Sequence, residues 1–172
     1  MELSLTIRRA SHADLAELHL LVERAYRGDE AKAGWTHEAD IILEGQRTSH
    51  DILAATIDDD NERLLVAVDG DRLAGCVQVS DREYGTAYLG LLTVDPQLQT
   101  RGLGKMLIAA AETTAVAAFE AHLMEMTVIS QRSELIAYYE RRGYRKTGER
   151  RPFPIEMDPP LEMVVLEKAL DA

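Results

Sequence analysis

DPQLQTRGLGKMLIAAAE, residues 95–112, sets two glycines and two cations directly ahead of an alanine-rich amphipathic run. The spacing predicts a helix starting near Gly102, with Leu103, Leu107, Ala110 or Ala111, and Thr114 on its inward face. Two uses fit a glycine turn of this kind. Backbone N–H groups, unpaired at a helix start and unobstructed by β-carbons, can converge on an anion beside Arg101 and Lys105. Alternatively, the glycines simply allow a tight, closely packed turn. Two familiar phosphate motifs are excluded. A P-loop needs a glycine where Gln99 stands and Ser or Thr where Met106 stands, and a dinucleotide turn needs a third glycine at Leu107.

The flanking segments give the fold class. Upstream, TAYLGLLTV (86–94) reads as a strand stopped by Asp95-Pro96, and RLLVAVDGDRLAGCVQVSD (63–81) reads as a hairpin turning at Asp69-Gly70. Downstream come a strand, LMEMTVI (123–129), and a helix, SELIAYYERR (133–142), stopped by Gly143. Two further strands, YRKTGER (144–150) and LEMVVLEKAL (161–170), surround the proline-rich PFPIEMDPP. The N-terminal part reads as a strand, LSLTIRRA (3–10), then three helices. Ser11 caps the first, whose stripe is Leu15, Leu18, Leu21, Val22, Ala25 and Tyr26. Thr36 caps the second, which stops at Gly45, and the third covers SHDILAATID (49–58). Strand–helix–strand in the second half requires a parallel pair, whereas hairpins require antiparallel ones. The expectation is an α+β fold, αβα in layers, with a mixed central sheet and helices on both faces.

Composition narrows the function. A chain of 172 residues suits one domain spanning 1–172. No secretory signal follows the basic residues near the start, and no apolar run is long enough for a membrane span. The single cysteine, Cys76, excludes an internal disulfide and reads as a buried strand residue, so a cytoplasmic location is the default. A net charge of −11 and a sequence pI near 4.9 oppose broad binding to nucleic acid. That charge serves solubility, and it also suits a cationic substrate. The five histidines are scattered, so no metal is implied.

VDPQLQTRGLGKML (94–107) resembles the Q/R-x-x-G-x-G/A signature of the GNAT acetyltransferase superfamily through Gln99, Gly102 and Gly104, and it follows a strand as that family requires. AYYERRGYRKTG (137–148) is similar to its second marker, Tyr-x-x-x-Gly-aromatic, through Tyr139, Gly143 and Tyr144. The resemblance covers about 64–150, and TIRRASHADLAEL (6–18) looks like a typical opening of the family. It implies a mostly antiparallel sheet of six to seven strands with one splayed parallel pair, and acetyl-CoA as cosubstrate.

Carried over residue by residue, the resemblance assigns Gln99, Thr100, Arg101, Gly102, Leu103, Gly104 and Lys105 to the pyrophosphate loop. It assigns the backbone of Leu92, Thr93 and Val94 to pantetheine, as an added strand would bind. Tyr139 matches the family's general acid, and Tyr138 reads as a core aromatic. Two positions depart from the pattern. Arg132 stands where many members carry a cofactor-holding asparagine, and Tyr88 stands where some carry a glutamate base. An amine attacks only when neutral, so some group must take its proton. Candidates are Glu38, His37, Asp40 and Glu83, each of which also reads as an ordinary surface or helix-start charge. Tyr26, Trp35, His37 and Tyr88 would line the acceptor pocket, and Arg47 would meet a substrate carboxylate or else pair with Glu44 or Asp51.

The resemblance implies an N-acetyltransferase moving acetyl to an amine of a small molecule or peptide by direct attack in a ternary complex, and it admits a homodimer. The alternative is an acyl-CoA-binding sensor without turnover, supported by the missing carboxylate at 88. A third reading is an intact fold serving as a subunit contact, which retention of Gln99, Gly102, Gly104 and Tyr139 opposes.

Overall fold

The computed structural model describes residues 5–26, 48–153 and 160–171. Strand β1 (Leu5–Arg9) leads through a 3-10 turn (His12–Asp14) into helix α1 (Leu15–Tyr26), and helix α2 covers His50–Asp58. Strands β2 (Glu62–Asp69), β3 (Arg72–Asp81) and β4 (Thr86–Val94) follow. A second 3-10 turn (Pro96–Arg101) feeds helix α3 (Leu103–Phe119). Strand β5 (Leu123–Ile129), helix α4 (Ser133–Arg141) and strands β6 (Arg145–Pro152) and β7 (Glu162–Ala169) complete the order. The helix expected from Thr36 to Gly45 lies outside the described residues.

The strands form one seven-stranded sheet in the order β1-β2-β3-β4-β5-β7-β6, and β4-β5 is its parallel pair. Alternation along the strands feeds two apolar cores. On one face Leu64, Val66 and Cys76 pack with Leu18, Leu21, Val22 and Leu53 of α1 and α2. On the other, Leu65, Val77, Val79 and Leu89 pack with Leu103, Leu107, Ile108 and Ala111 of α3 and Ile136 of α4. Helices therefore cover both faces, as the element order requires. Cys76 is fully buried.

Three local details differ from the sequence reading. The hairpin loop is Gly70-Asp71, one residue later than expected, because Asp69 still pairs with Arg72. Gly70 supplies the positive φ that this two-residue turn needs. On α3, Ala115 rather than Thr114 is the buried residue, which lets the small methyl approach the sheet while the hydroxyl stays half-buried.

Where β4 crosses β3, Thr93 pairs with Cys76 but Gly90 pairs with Gln78, so Leu91 and Leu92 together face Val77. This is a β-bulge, and Leu91 takes a left-handed φ of 51° within it. The extra residue resets the alternation. Ala87 and Leu89 face α3, Leu91 turns to the α1 core, and Leu92 and Val94 return to the α3 side.

The entrance to α1 is fixed electrostatically. Arg8 donates from both terminal nitrogens to Asp14 at 2.8 and 2.9 Å, and the Ser11 backbone N–H donates to the same carboxylate at 2.8 Å. The Arg8 bond, more than the Ser11 contacts, lowers the Asp14 pKa below its usual 3.8. A lowered carboxylate pKa adds stability that is complete above the unfolded value and lost as pH falls through the folded value. Asp14→Asn should therefore cost about 1 kcal/mol near neutrality. The difference in melting temperature from wild type should shrink below pH 4. A gap that stays constant down to pH 2 would show that Asp14 acts only through its shape.

Candidate active site

The site is assembled where β4 parts from β5. Their parallel register consists of Thr86↔Leu123, Ala87↔Met124 and Tyr88↔Glu125, after which β4 continues to Val94 and β5 to Ile129 without further pairing. The strands thus open into a V on the side of their C-terminal ends. The bulge at Leu91-Leu92 bends β4 just beyond the last pair. Thr93 and Val94 line this stretch with buried side chains, and the Thr93 hydroxyl donates to the Leu91 carbonyl at 2.9 Å. Any ligand contact at 93–94 would accordingly involve backbone groups.

The glycine turn stands at the mouth of the V. Gly102 adopts φ 76°, ψ 9°, a left-handed conformation that costs an L-residue about 1–2 kcal/mol and glycine nothing. From there α3 begins. Its first helical bond runs from Met106 N–H to the Gly102 carbonyl at 3.2 Å, so the amides of Leu103, Gly104 and Lys105 precede the ladder. No acidic residue occupies this first turn. Leu103 is wholly buried and can offer only its backbone, whereas Lys105 is exposed. Gln99, Thr100 and Arg101 form the end of the preceding 3-10 turn. A β-carbon on Gly104 would lie 2.8 Å from the Tyr138 hydroxyl and 3.7 Å from Val94, so a larger residue there would push the Tyr138 ring aside. Tyr138, read from sequence as a core aromatic, therefore packs against the glycine loop itself.

Asp95 is the residue that sequence reasoning undervalued, taking it only as a strand stop. Its carboxylate is completely buried. One oxygen accepts from the Gln97 N–H at 3.0 Å, turning the chain into the 3-10 segment. The other meets Arg24 of α1 at 3.4 Å and Arg72 of β3 at 3.2 Å. One side chain thus ties the loop to an element on each side. The legible signal was Asp before Pro with an amide two residues on, an Asx-type turn.

On α4, Tyr139 is buried, with its ring edge-on to Tyr138 at 5.6 Å and to Tyr144 at 6.2 Å. Gly143 (φ 100°) ends the helix as expected. Tyr144 donates to Glu112 at 2.9 Å, and Lys168 donates to the same carboxylate at 2.9 Å. Burial first, then the Glu112 charge and hydrogen bond, pushes the Tyr144 phenol far above its ordinary range. A proton held so tightly is not available for transfer near neutral pH. Arg132, half-buried, is the N-cap residue of α4, and its carbonyl accepts from Ile136 at 3.0 Å.

Tyr88 sits at the vertex of the V. Its hydroxyl hydrogen-bonds with that of Thr127, and the Arg82 guanidinium lies 4.7 Å from its ring centroid. Glu125, its register partner, shares that sheet face and pairs with Arg151 at 2.8 Å. Neither Glu125 nor Arg151 was singled out from sequence, although the alternation in LMEMTVI already groups Glu125 with Thr127. Glu83 occupies the exposed β3–β4 turn, at the opposite end of β4 from Val94, so it is remote from the glycine loop. Tyr26 ends α1. Trp35, His37, Glu38, Asp40 and Arg47 lie outside the described residues. Among the described residues no group of three or more His, Cys, Asp or Glu is placed to hold a metal, and no helix is long and apolar enough to cross a membrane.

Comparison with known proteins agrees with this geometry. The PaiA N-acetyltransferase of Thermoplasma acidophilum, solved with coenzyme A, superposes with a TM-score of 0.75 at 20% identity, covering 96% of this chain and 99% of that one. Salmonella typhimurium yncA, solved with its cofactor acetyl-CoA, gives 0.74 at 20% identity over 98% and 95%. The ribosomal-protein-S18-alanine N-acetyltransferase of Escherichia coli gives 0.74 at 15% identity over 98% and 95%. These likenesses concern the fold. A search among proteins of curated function finds no match. A family model described as an acetyltransferase (GNAT) domain matches residues 37–153. With that match over the splayed strands, the glycine turn and Tyr139, the chain belongs to the GNAT family of acetyltransferases.

Proposed function

We propose that the protein, as one cytoplasmic domain over 1–172, moves acetyl from acetyl-CoA to an amine of a small molecule or peptide. The amine attacks the thioester directly in a ternary complex. The observation that carries this reading is the V between β4 and β5, with the α3 amides at its mouth. Loop residues 99–105 hold the diphosphate of the cofactor, chiefly through backbone N–H groups, with Arg101 and Lys105 adding charge. Backbone groups of Leu92, Thr93 and Val94 take the pantetheine arm, and Arg132 flanks it in place of the family asparagine.

When the amine adds to the thioester carbonyl, the tetrahedral intermediate collapses by expelling a thiolate. Tyr139 supplies the proton that this sulfur gains, and Glu38 removes one from the attacking nitrogen, directly or through water. Tyr26, Trp35, His37 and Tyr88 shape the acceptor pocket. The net charge of −11 favours a cationic acceptor.

Release of free thiol from acetyl-CoA, followed over a library of polyamines, amino acids and peptide N-termini, tests this directly. Turnover with at least one amine is expected. Tight coenzyme A binding without turnover over the library would instead favour the sensor reading that the tyrosine at 88 supports.

A further inference from the structure

One row of residues crosses the sheet at the vertex of the V. Ser80 pairs with Tyr88, Tyr88 with Glu125, and Glu125 with Glu167. Met124 and Met126 turn into the α3 core, so Glu125 and Thr127 project from the opposite face. The bond between the Tyr88 and Thr127 hydroxyls closes across that same face. A carboxylate and two hydroxyls therefore stand side by side where the strands begin to part.

The Glu125 side chain is half-buried. Its Oε1 accepts from Arg151 Nη1 at 2.8 Å, and its Oε2 accepts no hydrogen bond among the described residues. Arg151 reaches it across β7, which lies between β5 and β6. The same guanidinium meets Glu149 at 2.6 Å. Two carboxylates thus share one cation, and the trio keeps one uncompensated negative charge. Arg82 does not cancel it, since its guanidinium lies on the Tyr88 ring, 4.7 Å from the centroid. Glu167, beside Glu125, has Arg145 opposite it on β6. A partly buried carboxylate with spare acceptor capacity attracts a cation. A primary ammonium fits best, because its three N–H donors can divide among Glu125 Oε2, Thr127 Oγ1 and Tyr88 Oη.

We infer that Glu125 is a specificity-determining residue of the acceptor site, holding the ammonium group of a cationic primary amine at the vertex of the V. This rests on the reading that loop 99–105 and the backbone of β4 carry the cofactor. A carrier gripped at 99–105, with its arm along 94–92, points its reacting end further back along β4, toward Tyr88 and Glu125. Arg151 occupies part of that carboxylate when the acceptor is absent, and Glu149 retains Arg151 when the acceptor arrives. Glu38 keeps the task of taking the proton.

Steady-state kinetics of Glu125→Gln and Arg151→Gln test it, with the aliphatic amine that gives the fastest thiol release in the library above. Glu125→Gln should raise KM for the amine about tenfold or more, since a charge-assisted hydrogen bond is lost. Its calorimetric affinity for coenzyme A should match wild type. Arg151→Gln should lower the amine KM severalfold, because Glu125 is then released from its internal cation. A bridge that merely ties β6 to β5 moves both variants alike. Amine KM values that shift in the same direction, or no shift in Glu125→Gln, therefore overturn the inference. Should Glu125→Gln fail to fold, Arg151→Gln decides alone: a lowered amine KM supports the inference and one that does not fall overturns it. Wild type that turns over no amine overturns the transferase reading and the inference together. Turnover with an unaltered amine KM in Glu125→Gln overturns the inference and leaves that reading intact.

Discussion

Replacing Tyr139 by phenylalanine lowers kcat for acetyl transfer by about a hundredfold or more, the usual weight of a positioned general acid. The substitution keeps the ring that packs edge-on against Tyr138 and Tyr144, so the fold around it stays intact. It removes only the oxygen that carries the proton. KM for acetyl-CoA should therefore change little, which marks an interaction made in the transition state rather than in the ground state. The neighbouring phenol cannot substitute, because Tyr144 is buried and committed to Glu112. Steady-state kinetics over pH 6–10 provide the check. A phenylalanine variant with unaltered kcat throughout that range would remove Tyr139 from the chemistry.

The second large effect is expected at Asp95, far in role from the reacting atoms. Asp95→Ala deletes a fully buried carboxylate, and with it the acceptor for Gln97 N–H and the shared anchor of Arg24 and Arg72. Breaking a wholly buried pair costs roughly 3–5 kcal/mol because a charge is stranded. Here Arg24 and Arg72 are 37% and 61% exposed and can turn to water, so about 2 kcal/mol is the expected loss. The 3-10 turn leading to Gly102 loses its fixed direction, and KM for acetyl-CoA should rise about tenfold, the effect of loosening a binding constellation. Asp95→Asn separates the contributions, since its amide oxygen still accepts from Gln97. It should retain most of the affinity while losing part of the stability, as read by thermal melts beside initial rates. Ala and Asn variants with the same KM would show that the turn holds its shape without this acceptor.

The contrast between Tyr139 and Asp95 indicates what was legible in the sequence. Periodicity carried the helices and strands, because alternation and 3.6-residue stripes are local properties of Leu18, Leu21 and Val22 or of Leu64 to Val68. The glycine turn, and the placing of Tyr139 on a helix that stops at Gly143, were legible because their spacing is itself the motif. Asp95 was not, since its meaning lies in two arginines, 71 and 23 residues away along the chain. Tyr138 packs against the core as its helical spacing suggests, but that spacing gives no hint that its hydroxyl will meet Gly104. The hairpin turn moved by one residue because Asp69-Gly70-Asp71 offers two adjacent placements with similar local preference. The bulge at Leu91 was hidden altogether, as GLLTV reads equally well as an unbroken strand.

That bulge bears on how the enzyme meets its cofactor. A left-handed leucine is a strained choice, held because its side chain is buried in the α1 core. The gap between the two central strands is thus built into the chain as it folds rather than forced apart by an arriving molecule. Preorganisation of this sort settles the conformational cost in advance, leaving more of each contact's energy to appear as affinity.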